Sequence, residues 1–135
     1  MNIILTTLNS KFIHSSLSIR YLKAYCNDIA NIELLEFTIN QNADYIAAEL
    51  YKKKPDIIGF STYIWNRDET LKVCETLKTV RPDIKIILGG PEVSFDSQDL
   101  MEKYPFIDFI IAGEGEIPFR EFLKTTIEDG DYSKV

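Results

Sequence analysis

Metal-binding residues are scarce in this sequence. Its 135 positions hold one histidine, His14, and two cysteines, Cys26 and Cys74, far apart in the chain. No C-x-x-C or other zinc or iron–sulfur spacing occurs, which argues against a self-contained metal centre. Both thiols are expected to pack as small buried hydrophobes. Positive charge is also in short supply. The formal net charge is −6, and the densest basic run is Lys52-Lys53-Lys54, just before Pro55. There cations face the negative end of a helix dipole, so the run reads as a helix end. A phosphate backbone is normally met by a basic face, which argues against nucleic acid as a partner. No apolar run approaches the roughly 18 residues of a membrane-spanning helix. The opening Met1-Asn2-Ile3-Ile4-Leu5 lacks the basic stretch and cleavage site of a secretory signal. The expectation is a cytoplasmic domain that meets neither membrane nor nucleic acid.

What is present suits one folded unit. Apolar residues make up 45% of the chain and charged residues 27%, enough to bury a single core at this length. Apolar runs and helical periods alternate along it. Asn2 to Thr7 reads as a buried strand, and Ser16 to Ile29 as a helix with Ile19, Leu22, Cys26 and Ile29 on one face. Ile32 to Phe37 is a second strand. Ala43, Ile46, Ala47 and Leu50 mark a second helix, stopped by Pro55. Asp56 to Thr62 is a third strand, continuously apolar as expected for one covered on both faces. Asn66-Arg67-Asp68-Glu69 resembles a capping box opening a helix that runs to Val80. Ile84 to Leu88 and Asp108 to Ile111 are further strands, with a short helix from Ser97 to Lys103 between them. Pro118 stands in the first turn of a last helix, whose inner face is Phe119, Phe122, Leu123 and Ile127. This alternation predicts an α/β fold of the flavodoxin-like (Rossmann-like) type. It is a doubly wound, five-stranded parallel sheet of order 2-1-3-4-5 in three αβα layers. Residues 1–127 form the domain, and the polar stretch 128–135 reads as the start of a linker to a missing C-terminal domain.

In such a sheet, ligands bind beyond the carboxyl ends of the strands, near the point where strand order reverses. The connections expected there share a chemistry. Asn9, Ser10, Phe12 and His14 fall in the first, and Ser61, Thr62, Tyr63, Trp65 and Asn66 in the third. Gly89, Gly90, Pro91, Glu92 and Phe95 fall in the fourth, and Gly113, Glu114 and Gly115 in the fifth. Glycines let a ligand approach the backbone, aromatics supply flat walls, and helix starts offer N–H groups. The ligand implied is large, partly planar and rich in hydrogen-bonding groups. Familiar alternatives lack their residues. The first connection contains no glycine for a dinucleotide or flavin phosphate loop, and no G-x-x-x-x-G-K-[ST] occurs. Thr6-Thr7 and Ser61-Thr62 stand where a phosphoacceptor receiver domain would carry acids.

Ser61-Thr62-Tyr63, Leu88-Gly89-Gly90-Pro91-Glu92 and Ile111-Ala112-Gly113-Glu114-Gly115-Glu116 end successive strands. The set resembles the N-terminal cobalamin-binding domain of radical S-adenosylmethionine (SAM) enzymes, from Asn2 to about Leu123. That resemblance implies a cobalamin-binding domain of a radical SAM methyltransferase, holding the corrinoid that relays a methyl group from SAM to a substrate. It implies that Ser61, Gly89 and Gly90 line the cleft for the dimethylbenzimidazole nucleotide tail. Gly113, Glu114 and Gly115 would sit against the corrin rim, and Tyr63, Trp65 and Asn66 near its lower face. A [4Fe–4S] cluster and SAM would belong to the missing radical SAM domain, the second partner beside cobalamin, and this domain alone would not be catalytic.

The first connection departs from the D-x-H-x-x-G pattern of cobalt-ligating relatives. Phe12 stands in place of the Asp and Leu17 in place of the Gly around His14. Three readings of His14 stay open: cobalt ligand, uncoordinated pocket residue, or helix-start packing. Two alternatives to the cobalamin reading also stay open, a cofactor-free interaction domain and a flavodoxin-like FMN or nucleotide binder.

Overall fold

Isoleucine, leucine and phenylalanine dominate the strands, and their alternation sends neighbouring side chains into opposite layers. The computed structural model describes residues 2–9, 17–38, 40–62, 66–89, 97–111 and 116–128. Strands β1 (Ile3–Asn9), β2 (Ile32–Thr38), β3 (Ile57–Ser61), β4 (Lys85–Gly89) and β5 (Phe109–Ile111) alternate with helices. These are α1 (Leu17–Cys26), α2 (Ala43–Lys52), α3 (Arg67–Val80), α4 (Ser97–Lys103) and α5 (Glu116–Glu128). The strands form one parallel sheet of order β2-β1-β3-β4-β5, as the alternation predicts.

Ile4, Leu8, Ile58, Phe60, Ile86 and Leu88 meet α2 and α3 through Ile46, Leu50, Val73, Cys74 and Leu77. On the other face, Ile3, Leu5, Ile57 and Ile87 meet Ile19 and Cys26 of α1 and Phe119, Phe122 and Leu123 of α5. All five residues of β3 are buried, as both covered faces require. At Gly59 a Cβ would lie 2.7 Å from Leu5 Cδ2, so the missing side chain is what lets Leu5 lean across the central strand. Burial pushes both the Cys26 and Cys74 thiols up from their ordinary pKa.

Element ends differ from expectation where pairing or capping decides them. β1 runs two residues beyond Thr7, because Leu8 and Asn9 still pair with Phe37 and Thr38 of β2. Gly89 closes β4 instead of opening a loop, held opposite Ser61 and Ile111. Helix α1 stops at Cys26, whose carbonyl accepts from both Ile29 N and Ala30 N. The lysine run does end α2. Lys54 takes a left-handed φ of 52°, Lys52 pairs with Glu49, and Lys53 pairs with Glu33.

The amino edge of the sheet is closed by charge. Asn2 N donates to Asp56 Oδ2 at 2.7 Å, and Lys85 N to the Asp56 carbonyl at 3.0 Å. Asp108 Oδ2 accepts from Lys78 Nζ and Ile86 N, both at 2.7 Å. Across the outer layer Arg120 grips Asp28 with two hydrogen bonds of 2.6 and 2.8 Å. That guanidinium holds the Asp28 carboxyl at about 2, below its ordinary 3.8.

Candidate cofactor-binding site

At the carboxyl edge the strands exchange large apolar residues for small polar ones. Thr7, Ser61, Gly89 and Ile111 are register partners in a row across β1, β3, β4 and β5. The row lies on the α1/α5 face, because it is two residues on from Leu5, Gly59, Ile87 and Phe109. Strand spacing makes the stretch from Thr7 to Gly89 roughly 10 Å wide. It holds a threonine, a serine and a glycine where the level below holds Leu5, Gly59 and Ile87. A Cβ on Gly89 would meet Ile111 O at 3.8 Å, an ordinary contact. Among the described residues the fold therefore has no steric need of glycine there.

Two of the strands part at this level. Pairing of β1 with β3 ends at Thr7 and Ser61. Beyond it, side chains replace the ladder. Thr7 Oγ1 donates to the Ser61 carbonyl at 3.0 Å, and Asn66 Nδ2 donates to the Leu8 carbonyl at 3.0 Å and to that of Ser61 at 3.3 Å. Thr62 N meanwhile holds the Gly89 carbonyl at 2.7 Å. β1 leads to α1 on one face and β3 to α3 on the other, so this is the topological switch point of the sheet.

Asn66 needs a correction. It occupies the N-cap position of α3, but its side chain makes no cap hydrogen bond, so the capping-box reading fails. The amide is completely buried and is used as a donor to the two strand ends, while its own carbonyl accepts Thr70 N to start the helix. Asn66 therefore meets backbone at the strand ends. Thr62 is also fully buried, and its hydroxyl, like those of Thr6 and Thr70, has no hydrogen-bond partner among the described residues. Such orphan groups cost about 1–3 kcal/mol each.

Ser61 and Gly89 are thus brought side by side. Asn9 ends β1 opposite Thr38 of β2, on the far side of the switch point from Ser61. Ser10, Phe12, His14, Tyr63, Trp65, Gly90, Pro91, Glu92, Gly113, Glu114 and Gly115 lie outside the described residues. Thr7 is the residue that sequence reasoning missed. It reads as one more position of a buried strand, and only the pairing register reveals it beside Ser61. No cluster of His, Cys, Asp or Glu among the described residues could hold a metal ion. A groove of about 560 Å³ between α2 and α3 is lined by Asp44, Glu69, Lys72 and Glu75. It lies in the outer helical layer, apart from the Thr7–Gly89 row. No helix among the described residues is long and apolar enough to cross a membrane.

Comparison with known proteins agrees with this fold. A family model described as B12 binding domain matches residues 3–123. TokK from Streptomyces tokunonensis, a cobalamin-dependent radical SAM methyltransferase, is 37% identical over 83 residues, 61% of this chain and 12% of that protein. The 2-(S-pantetheinyl)-carbapenam-3-carboxylate methyltransferase of Streptantibioticus cattleyicolor is 35% identical over 82 residues, 60% of this chain and 12% of that protein. The matched region thus spans about an eighth of the length of these curated relatives. Among solved structures, the cobalamin-dependent SAM radical enzyme OxsB, with aqua-cobalamin and SAM bound, shares the fold. Its TM-score is 0.79 at 23% identity, covering 95% of this chain and 19% of that one.

Proposed function

The chain belongs to the B12-binding domain family, and from that premise we propose that it holds cobalamin at the carboxyl edge of its sheet. The observation that carries this reading is the Thr7–Ser61–Gly89 row at the switch point. The residues present fit the group. A planar base needs a slot without protruding side chains, and Gly89 would leave such space, since among the described residues the nearest atom to an added Cβ is 3.8 Å away. Ser61, buried at 8% exposure in the neighbouring strand, would bring its hydroxyl to that base.

In this reading Ser61, Gly89 and Gly90 take the nucleotide tail, and Thr62 supports them from behind. The connections bearing Pro91, Glu92, Gly113, Glu114 and Gly115 face the corrin rim. Tyr63, Trp65 and the first connection with Asn9, Ser10, Phe12 and His14 complete the surround, with His14 a candidate cobalt ligand. Bound cobalamin supplies a centre able to relay a methyl group, and the protein supplies binding, orientation and exclusion of water. Residues 1–127 act as the cofactor domain of a longer polypeptide, and 128–135 begin the linker to a radical SAM domain carrying the [4Fe–4S] cluster and SAM. The names of TokK and OxsB support that context. The whole protein is then a cytoplasmic methyltransferase, and this domain binds without turning over.

The test is a titration of the chain with hydroxocobalamin, measured by visible spectrum and by protein-bound cobalamin after desalting. Near-stoichiometric retention is expected. Loss of a spectral shift in His14→Ala assigns the cobalt ligand, and an unchanged shift removes His14 from that role. No retention, or retention of FMN in its place, overturns the reading.

A further inference from the structure

The Ser61 carbonyl sits where the β1–β3 ladder ends, and the side chains that hold it come from two different elements. Thr7 belongs to β1 and lies in register with Ser61, and Asn66 precedes α3. Asn66 is shared, since the same nitrogen serves the Leu8 carbonyl at the shorter distance of 3.0 Å. The Thr7 hydroxyl gives its one proton to Ser61 alone among the described residues, at 3.0 Å. Thr7 is 1% exposed, so water does not compete for that bond.

From this geometry we infer that Thr7 is a positioning residue for the ligand slot. Its hydroxyl fixes the β1 side of the Ser61 backbone, where the β1–β3 ladder ends while β4 still pairs on the other side, and thereby sets the Ser61 hydroxyl against the bound nucleotide tail. The inference rests on the cobalamin reading and deepens it. A binding group held in place before the ligand arrives loses less freedom on binding, so affinity is where the effect appears. Valine is nearly isosteric with threonine and suits a strand, so Thr7→Val removes the hydrogen bond and little else.

The experiment is a double-mutant cycle on hydroxocobalamin affinity in the full chain, with wild type, Thr7→Val, Ser61→Ala and the double variant, each also melted. Thr7→Val is expected to weaken binding roughly three- to tenfold, the loss of one hydrogen bond. Thr7→Ser should stay within about twofold of wild type. The deciding reading is non-additivity. If Thr7 acts through Ser61, the double variant binds no more weakly than Ser61→Ala. Additive losses overturn the proposal, because a general loosening of the edge would act in either background. An unaffected Thr7→Val, or an unaffected Ser61→Ala, overturns it as well. Should Thr7→Val fail to fold, Thr7→Ala enters the same cycle. A wild-type chain that binds no cobalamin overturns the underlying reading before any variant is measured.

Discussion

The two edges of the sheet are built on opposite principles. At the amino edge, Asp56 and Asp108 are each shared between a neighbouring strand's backbone and another group, and Lys78 closes the end of β5. Every strong group there is spent on the chain itself. At the carboxyl edge, Thr7, Ser61 and Gly89 present little bulk, and the strands are tied by neutral hydrogen bonds from Thr7 and Asn66. Among the described residues, that edge carries small neutral side chains where the other carries charged ones. A charged lock at one end of the strands and a row of small neutral residues at the other separate stability from binding.

The largest effect should come from adding bulk at Gly89. Gly89→Val is expected to weaken cobalamin binding roughly a hundredfold, about 3 kcal/mol of overpacking, read by titration. The smaller Gly89→Ala should melt no lower than wild type. The nearest described atom to the new Cβ is 3.8 Å away, and losing a glycine stiffens the unfolded chain by about 0.4–1 kcal/mol. A variant that melted far lower would show that Gly89 is structural and erase the contrast.

The amino edge should respond in reverse. Asp108→Ala strands Ile86 N and leaves Lys78 Nζ only its bond to the Ile84 carbonyl, and should cost about 2 kcal/mol in urea unfolding, while cobalamin affinity stays within about twofold. The second glycine sharpens the comparison further. Gly59→Ala drives a methyl to within 2.7 Å of Leu5 Cδ2, so it should destabilise by about 1–2 kcal/mol and leave the slot intact. One glycine then makes room for the chain and the other for the ligand.

The smallest effect is at the Arg120–Asp28 pair, which belongs to neither edge. The Asp28 carboxyl is depressed in the folded chain, so its contribution is fully present above the ordinary 3.8 and fades as pH falls through about 2. Urea midpoints of wild type and Arg120→Gln should differ above about pH 4 and converge as pH approaches 2. A constant gap would show that the pair does not act through this carboxyl.

Much of the molecule was legible beforehand. Period-two and period-three-to-four apolar patterns locate the ten described elements, because burial on a sheet face or helix stripe demands those spacings. Ser61 and Gly89 were legible as site candidates through their place at strand ends, and the structure sets them in adjacent strands. The resemblance carried by Ser61-Thr62-Tyr63 and Gly89-Gly90-Pro91-Glu92 agrees with the family match over residues 3–123. Asn66 was misread. An Asn three residues before a Glu looks locally like a cap, and nothing nearby in sequence announces the Leu8 carbonyl, 58 positions away, that claims its amide. Thr7 was invisible for a related reason, since its significance lies in a partner 54 positions distant.

By itself the sequence determined the class of fold, the order of its elements and the chemistry collected at the strand ends. Those follow from local periodicity and from where small and polar residues fall. Only the tertiary structure decided which of those residues stand together. Register placed Thr7 beside Ser61 and Gly89, and the parting of β1 from β3 turned Asn66 from a helix cap into a strand tie. Hydrogen bonds between residues more than fifty positions apart depend on strand pairing, and pairing is settled by burial of the whole sheet rather than by any local pattern.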